Sequence, residues 1–334
     1  MFDIPVLLAL IVLVALVFDF TNGAHDCANA IATVVSTKVV TPRFAVGAAA
    51  LLNLGGALLG TEVAKTLGSG IVLPQVVEGS HVLVLAALVG AITWNCITWY
   101  FGIPSSSSHA LIGGLIGAAV ADAGFGALNA KGIWDKVLVP LVASPLAGYA
   151  VGFCCMWLIY WICSQIHRRK VNASFRRLQL VSAAFMATSH GLNDAQKTMG
   201  MIWLILLAGG ALTVNDPLPL GVGYSCFGAI AFGTMFGGWR IVKTMGQKIT
   251  KLKPVGGFCA ETGGALTLFL ATTLGIPVST THTITGAIVG VGSTQRASAV
   301  RWGVAGNIVW AWILTIPASA FVAAIAYWVS LQLY

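Results

Sequence analysis

Charge is scarce in this sequence. Lys, Arg, Asp and Glu make up 8% of its 334 residues, and ten residues are acidic, against roughly 25% charged content in soluble domains. A soluble globular fold is excluded. The regular apolar/polar alternation that a membrane barrel needs is also missing. So is any cysteine spacing of the metal or disulfide kind: the seven Cys form no CxxC and lie mostly in apolar runs, where they read as small packing residues. No basic n-region precedes the first apolar run, so that run reads as a working helix and not as a secretory leader.

What is present is apolar surface: 57% of residues are hydrophobic and 39 are glycine. Runs that approach or exceed the roughly 20 residues of a membrane-crossing helix recur at 4–20, 44–60, 82–101, 137–163, 199–212, 218–239, 260–274 and 302–329. Backbone polar groups in lipid must be paired within the segment, which leaves an all-α, polytopic helix bundle in a lipid bilayer. The formal net charge of +8 does not point to nucleic acid. Its positives gather in "HRRKVNASFRR" (His167 to Arg177) and at Lys243, Lys248, Lys251 and Lys253, the pattern of cytoplasmic loops. Lys38 and Arg43 belong to the same side, which puts the N-terminus outside.

The basic segment divides the chain into a first transmembrane repeat (1–163), a cytoplasmic linker (164–178) and a second transmembrane repeat (179–334). Polar landmarks recur in order across the two halves. "NGAHDCANA" (Asn22 to Ala30) pairs with "HGLNDAQKT" (His190 to Thr198), and "TEVAKTLGSGI" (Thr61 to Ile71) with "WRIVKTMGQKI" (Trp239 to Ile249). "GIPSSSSHALIGGLIG" from Gly102 returns as "GIPVSTTHTITGAIVG" from Gly275, a shift of 173 positions. Three matches in register indicate internal duplication. Duplicated halves characterise secondary transporters, which bind at the repeat interface and work by alternating access.

Each Gly-Ile-Pro stretch predicts helix, break, helix. Gly102 and Gly275 suit a helix end, Pro104 and Pro277 cannot continue one, and the hydroxyls that follow are N-caps. Such paired breaks mark a binding site, because irregular backbone at membrane depth must be buried in protein or line a cavity. The N-termini after the breaks offer N–H groups, hydroxyls and a positive dipole end. Ser105, Ser106, Ser107, Ser108 and His109, with Ser279, Thr280, Thr281 and His282, are therefore candidate anion ligands. The two histidines either donate to the anion or cap their helices, and His190 reads as a packing or loop residue.

Asp26 and Asp194 must be neutralised if buried. Their neighbours are Asn22, His25 and Asn29 in one copy and Asn193 and Gln196 in the other, with Glu62 and Glu261 as weaker candidates for the same work. Two readings stand: the aspartates and unwound backbone carbonyls in Gly-weakened helix hold a hard cation such as sodium, or carry a proton; alternatively they form salt bridges with Lys65, Lys197 or Lys243.

These motifs together resemble the inorganic phosphate transporter family of cation-coupled symporters, over nearly the whole chain. The resemblance implies two inverted repeats with two re-entrant helical hairpins, phosphate between the hairpin tips, and cations near Asp26 and Asp194. It also implies a multi-pass protein of the plasma membrane, a bacterium's inner membrane, with a homodimer as candidate assembly and no cofactor. His25 departs from sodium-coupled members, which carry Asn there, and resembles the bacterial low-affinity type. That type implies a co-transported proton in preference to sodium, and a divalent metal–phosphate complex as a further cargo. Sulfate is the rival substrate and an anion channel the rival mechanism. An enzyme using Ser108 or Thr281 as nucleophile is disfavoured, because catalysis needs one asymmetric constellation and this chain carries everything twice.

Overall fold

The computed structural model describes residues 6–55, 70–77, 80–213 and 216–333, and the regular structure there is helical apart from one isolated bridge between Val72 and Leu128. The main helices are α1 (Val6–Ser36), α2 (Pro42–Gly55), α3 (His81–Phe101), α4 (Ser107–Ala123), α5 (Val139–Ile162), α6 (Arg168–Ala208), α7 (Leu220–Phe236), α8 (Trp239–Lys243), α9 (Pro254–Thr273), α10 (Thr280–Ser293) and α11 (Trp302–Leu333). Among the described residues, Val6–Ser36, His81–Phe101, Ala130–Ile162, Pro254–Thr273 and Trp302–Gln332 are long and apolar enough to cross a bilayer. The pair Leu220–Phe236 and Trp239–Lys248, bent by 66°, makes a sixth if counted as one span. Gly237 supplies that bend, with a φ of 70° that favours glycine.

The apolar run 199–212 is not a helix of its own. Its residues 199–208 form the last part of α6, which is 41 residues long and begins in the basic segment. Nor are α1 and α6 unwound at Gly23 and Gly191, as the cation-site reading expected; both helices run straight through. Glycine inside a helix costs only about 1 kcal/mol relative to alanine, and here it allows close packing. A Cβ at Gly23 would overlap the Ile230 backbone of α7, and one at Gly191 would overlap Asn53 of α2.

The two repeats, α1 to α5 and α6 to α11, interlock. The hairpin helix α4 packs on α11 of the second repeat, and its counterpart α10 packs on α5 of the first. Likewise α7 lies on α1 and α2 on α6. Small residues make these contacts. Gly113 and Gly117 of α4 meet the backbone of Ile316 and Ala320, while Gly286 and Gly290 of α10 meet that of Pro145 and Tyr149. Without a hydrophobic drive between helices in lipid, such small-xxx-small faces let dispersion contacts hold helices together. The consequence is that neither repeat buries its own hairpin, and both hairpin tips are pressed into the middle of the molecule.

Candidate functional site

Both breaks are built alike. α3 ends at Gly102, with φ 68°, and Ile103 donates back to the Thr98 carbonyl at 2.9 Å. α9 is followed by Gly275, also at φ 68°, and Ile276 donates to the Ala271 carbonyl at 2.9 Å. Chain direction is reset over the next residues, and then Ser106 Oγ accepts from the His109 N–H and Ser279 Oγ from the His282 N–H, each at 3.2 Å. Each serine satisfies one of the orphan donors of a helix start. The remaining N–H groups and the positive dipole end point into the protein.

The tips touch. The rings of His109 and His282 lie 4.8 Å apart between centroids. His282 stacks at 3.9 Å on Trp312 of α11, whose indole N–H donates to the Pro104 carbonyl at 3.0 Å. One tryptophan thus ties the break of the first hairpin to the histidine of the second. All nine anion-ligand candidates, Ser105 to His109 and Ser279 to His282, are buried.

Against these tips stand the two aspartates, both buried. In the first repeat His25 Nδ1 lies 2.6 Å from Asp26 Oδ1, and its Nε2 lies 3.0 Å from Thr98 Oγ1 and 3.3 Å from Ser105 Oγ. In the second, Lys197 donates to Asp194 Oδ1 at 2.6 Å and to the Val278 carbonyl at 2.9 Å. The salt-bridge reading is therefore realised at Asp194, with Lys197 as partner; Lys243 is exposed, and Lys65 lies outside the described residues. Asn29 joins the halves by donating to Thr280 Oγ1 at 3.1 Å and Thr281 Oγ1 at 3.0 Å. Thr280 donates to Asp194 Oδ2 at 3.1 Å, and Thr281 to Asp26 Oδ1 at 3.4 Å. One polar network runs from one hairpin through both aspartates to the other.

His190 corrects an expectation. It is no loop residue: four positions before Asp194 on an unbroken helix, it shares that face, with Nε2 3.2 Å from Asp194 Oδ2 and Nδ1 3.4 Å from Asn53 Oδ1. Ligand atoms of Asp26, His190 and Asp194 all fall within 4.8 Å of one another. Asn193 donates to Thr272 Oγ1 at 2.8 Å, while Asn22 and Gln196 are buried on their helices. Glu261 stands apart. It accepts from Thr33 at 2.6 Å and Gln179 at 2.9 Å, and also from Ser182, and Thr33 lies seven residues, roughly 10 Å, along α1 from Asp26. Glu62 lies outside the described residues.

Sequence reasoning missed Asp19, which is buried and accepts from Thr198 Oγ1 at 2.8 Å. Its signal was available, since Asp19 precedes Asp26 by two helical turns and shares its face. Thr98 and Trp312 belong to no motif and carried none.

This geometry, with paired breaks facing paired aspartates, sits inside two matches to a single family model, that of the phosphate transporter family, over residues 22–173 and 163–323. The chain belongs to that family. It is 54% identical over 324 residues to a probable low-affinity inorganic phosphate transporter of Rhizobium meliloti, covering 97% of this chain and 96% of that protein. To a protein of the same description from Bacillus subtilis it is 48% identical, covering 97% of each. Its fold is similar, with a TM-score of 0.88, to a solved structure described as the sodium-dependent phosphate transporter. The identity there is 26%, over 98% of this chain and 100% of that one. This member of the phosphate transporter family is a multi-pass membrane protein and a transporter, and the nucleophile reading of Ser108 and Thr281 falls with that assignment.

Proposed function

We propose that this phosphate transporter family member imports inorganic phosphate across the plasma membrane by alternating access, with an inward-moving proton as the coupling ion. The observation that carries the reading is the single buried network that links the first hairpin break to Asp26 through His25 and the second hairpin tip to both aspartates. Two helix N-termini with their hydroxyls supply donors for a tetrahedral oxyanion. Phosphate at neutral pH also carries protons and can donate to Asp26 or Asp194, whereas sulfate only accepts. That difference favours phosphate.

Coupling is needed on energetic grounds. Moving a dianion inward against 100 mV costs about 4.6 kcal/mol, at about 2.3 kcal/mol per charge. His25, whose two ring nitrogens bridge Asp26 to the first hairpin break, is the feature that supports the proton over sodium. The test is radiolabelled phosphate uptake into proteoliposomes under an imposed proton or sodium gradient, with excess sulfate as competitor. Proton-driven, sulfate-resistant uptake is expected; sodium-driven uptake would reassign the coupling ion, and competition by sulfate would reassign the substrate.

Two substitutions probe the site. Asp26→Asn is expected to abolish gradient-driven uptake while the protein still inserts and purifies as a monodisperse species, so full activity would remove Asp26 from the coupling path. Thr280→Trp places an indole where Asn29 and Asp194 now meet the hydroxyl. Phosphate binding by that variant is expected to vanish, and unchanged affinity would argue against the hairpin tips as the anion site.

A further inference from the structure

We propose that Lys197 is a resident cation: its ammonium fills an oxygen-lined slot between Asp194 and the second hairpin break that a free sodium ion would otherwise occupy. This rests on the transporter reading above and goes beyond it by naming the side chain that sets ion specificity in the second repeat.

The slot has the donors of a hard-cation site. Asp194 Oδ1 lies 2.6 Å from Lys197 Nζ and the Val278 carbonyl 2.9 Å from it, and Val278 belongs to the irregular backbone just after Pro277. Carboxylate and unwound-backbone oxygens are the ligands with which broken-helix transporters hold sodium. Lys197 is 2% exposed and Asp194 1%. An ammonium at that depth is stable only while its partners stay in place.

Comparison of the repeats strengthens the assignment. At the shift that superposes Asp26 on Asp194, Lys197 falls on Asn29 and Asn193 falls on His25. At these two positions each repeat thus carries one basic residue and one asparagine, exchanged between the repeats; His190, which also meets Asp194, falls on Asn22. Yet the two basic groups contact corresponding residues. His25 spans from Asp26 Oδ1 to Ser105, and Lys197 from Asp194 Oδ1 to Val278, while Ser105 and Val278 correspond at the 173-residue shift of the hairpins. One group reaches the slot from the position before its aspartate and the other from three positions after it. Two routes to one pair of contacts mark the slot as a place for a basic side chain in both repeats.

The difference between the two groups is functional. An ammonium bonded covalently to α6 cannot leave with the cargo, so the second slot neutralises Asp194 permanently and adds nothing to the count of ions carried. The backbone scaffold is shared with a transporter described as sodium-dependent; a few side chains, and Lys197 among them, then decide whether sodium is required.

The test compares wild type, Lys197→Asn and Lys197→Met in sodium chloride and in choline chloride, by phosphate uptake in proteoliposomes and by thermal unfolding of the purified proteins. Wild type is expected to behave the same in both salts. Lys197→Asn, which gives the second repeat the residue of the first, is expected to lose about tenfold in uptake in choline, to recover in sodium, and to melt higher with sodium, as linkage requires of a bound ion. Lys197→Met, whose apolar stem fills the slot, is expected to stay impaired in both salts. Absence of any sodium response in folded Lys197→Asn overturns the proposal. So does a sodium-induced rise in the melting temperature of the wild type that Lys197→Met leaves in place, a result that stands even if Lys197→Asn yields no folded protein. If the wild type carries no phosphate, the transport reading fails, while the sodium-dependent melting of Lys197→Asn still decides the slot.

Discussion

Asp194→Asn is expected to destabilise the folded protein by about 3–5 kcal/mol, the cost of leaving one member of a buried ion pair without its partner. Lys197 would keep the Val278 carbonyl but lose the carboxylate at 2.6 Å, and a neutral amide cannot compensate an ammonium that solvent does not reach. Since marginal stability is only about 5–15 kcal/mol for a typical domain, most of the folded material is at risk. The double variant Asp194→Asn with Lys197→Met removes both charges and is expected to recover most of the loss. Asp26→Asn should behave differently, because an asparagine amide can still hydrogen-bond the His25 ring nitrogen that now meets the carboxylate. Size-exclusion profiles and melting temperatures in detergent check the contrast. Equal stability of Asp194→Asn and Asp26→Asn would mean that the Lys197 pair does not hold the site together.

Gly117→Leu and Gly290→Leu are expected to lose folded protein to a similar extent, although they lie in different repeats. A side chain at Gly117 would run into the Ala320 carbonyl of α11, and one at Gly290 into the Tyr149 carbonyl of α5. Overpacking by side-chain methylenes costs about 1–3 kcal/mol; here the obstruction is backbone, which cannot rotate away, so the cost lies at the top of that range or above it. Each substitution pushes a re-entrant helix off the opposite repeat and withdraws its tip from the aspartates. Gly228→Leu is the control, since nothing lies within 4 Å of a Cβ there, and its melting temperature is expected to stay near the wild type. Unequal damage from Gly117→Leu and Gly290→Leu would contradict the equivalence of the two hairpin contacts.

The hairpins were legible because their signal is local. Gly102 and Gly275 must adopt left-handed backbone, Pro104 and Pro277 lack an amide donor, and Ser106 and Ser279 cap within three residues. The bundle was legible because scarce charge and long apolar runs act through composition alone. Gly23 and Gly191 were misread for the same reason, from the other direction. A helical glycine signals either a break or a close approach, and only the Ile230 and Asn53 backbones across from them separate the two.

The sequence by itself determined a membrane bundle of two repeats, each with a broken hairpin and a motif aspartate to be neutralised, because these follow from near-neighbour chemistry and from the cost of unpaired groups in lipid. Only the tertiary structure decided who neutralises whom. Lys197 and not Lys243 meets Asp194, His190 joins them, Glu261 goes to Thr33 and Gln179, and Trp312 bridges the two hairpins. Those pairings depend on how interlocked helices cross, and crossings are set by contacts between residues far apart in the chain, which spacing along one helix does not encode.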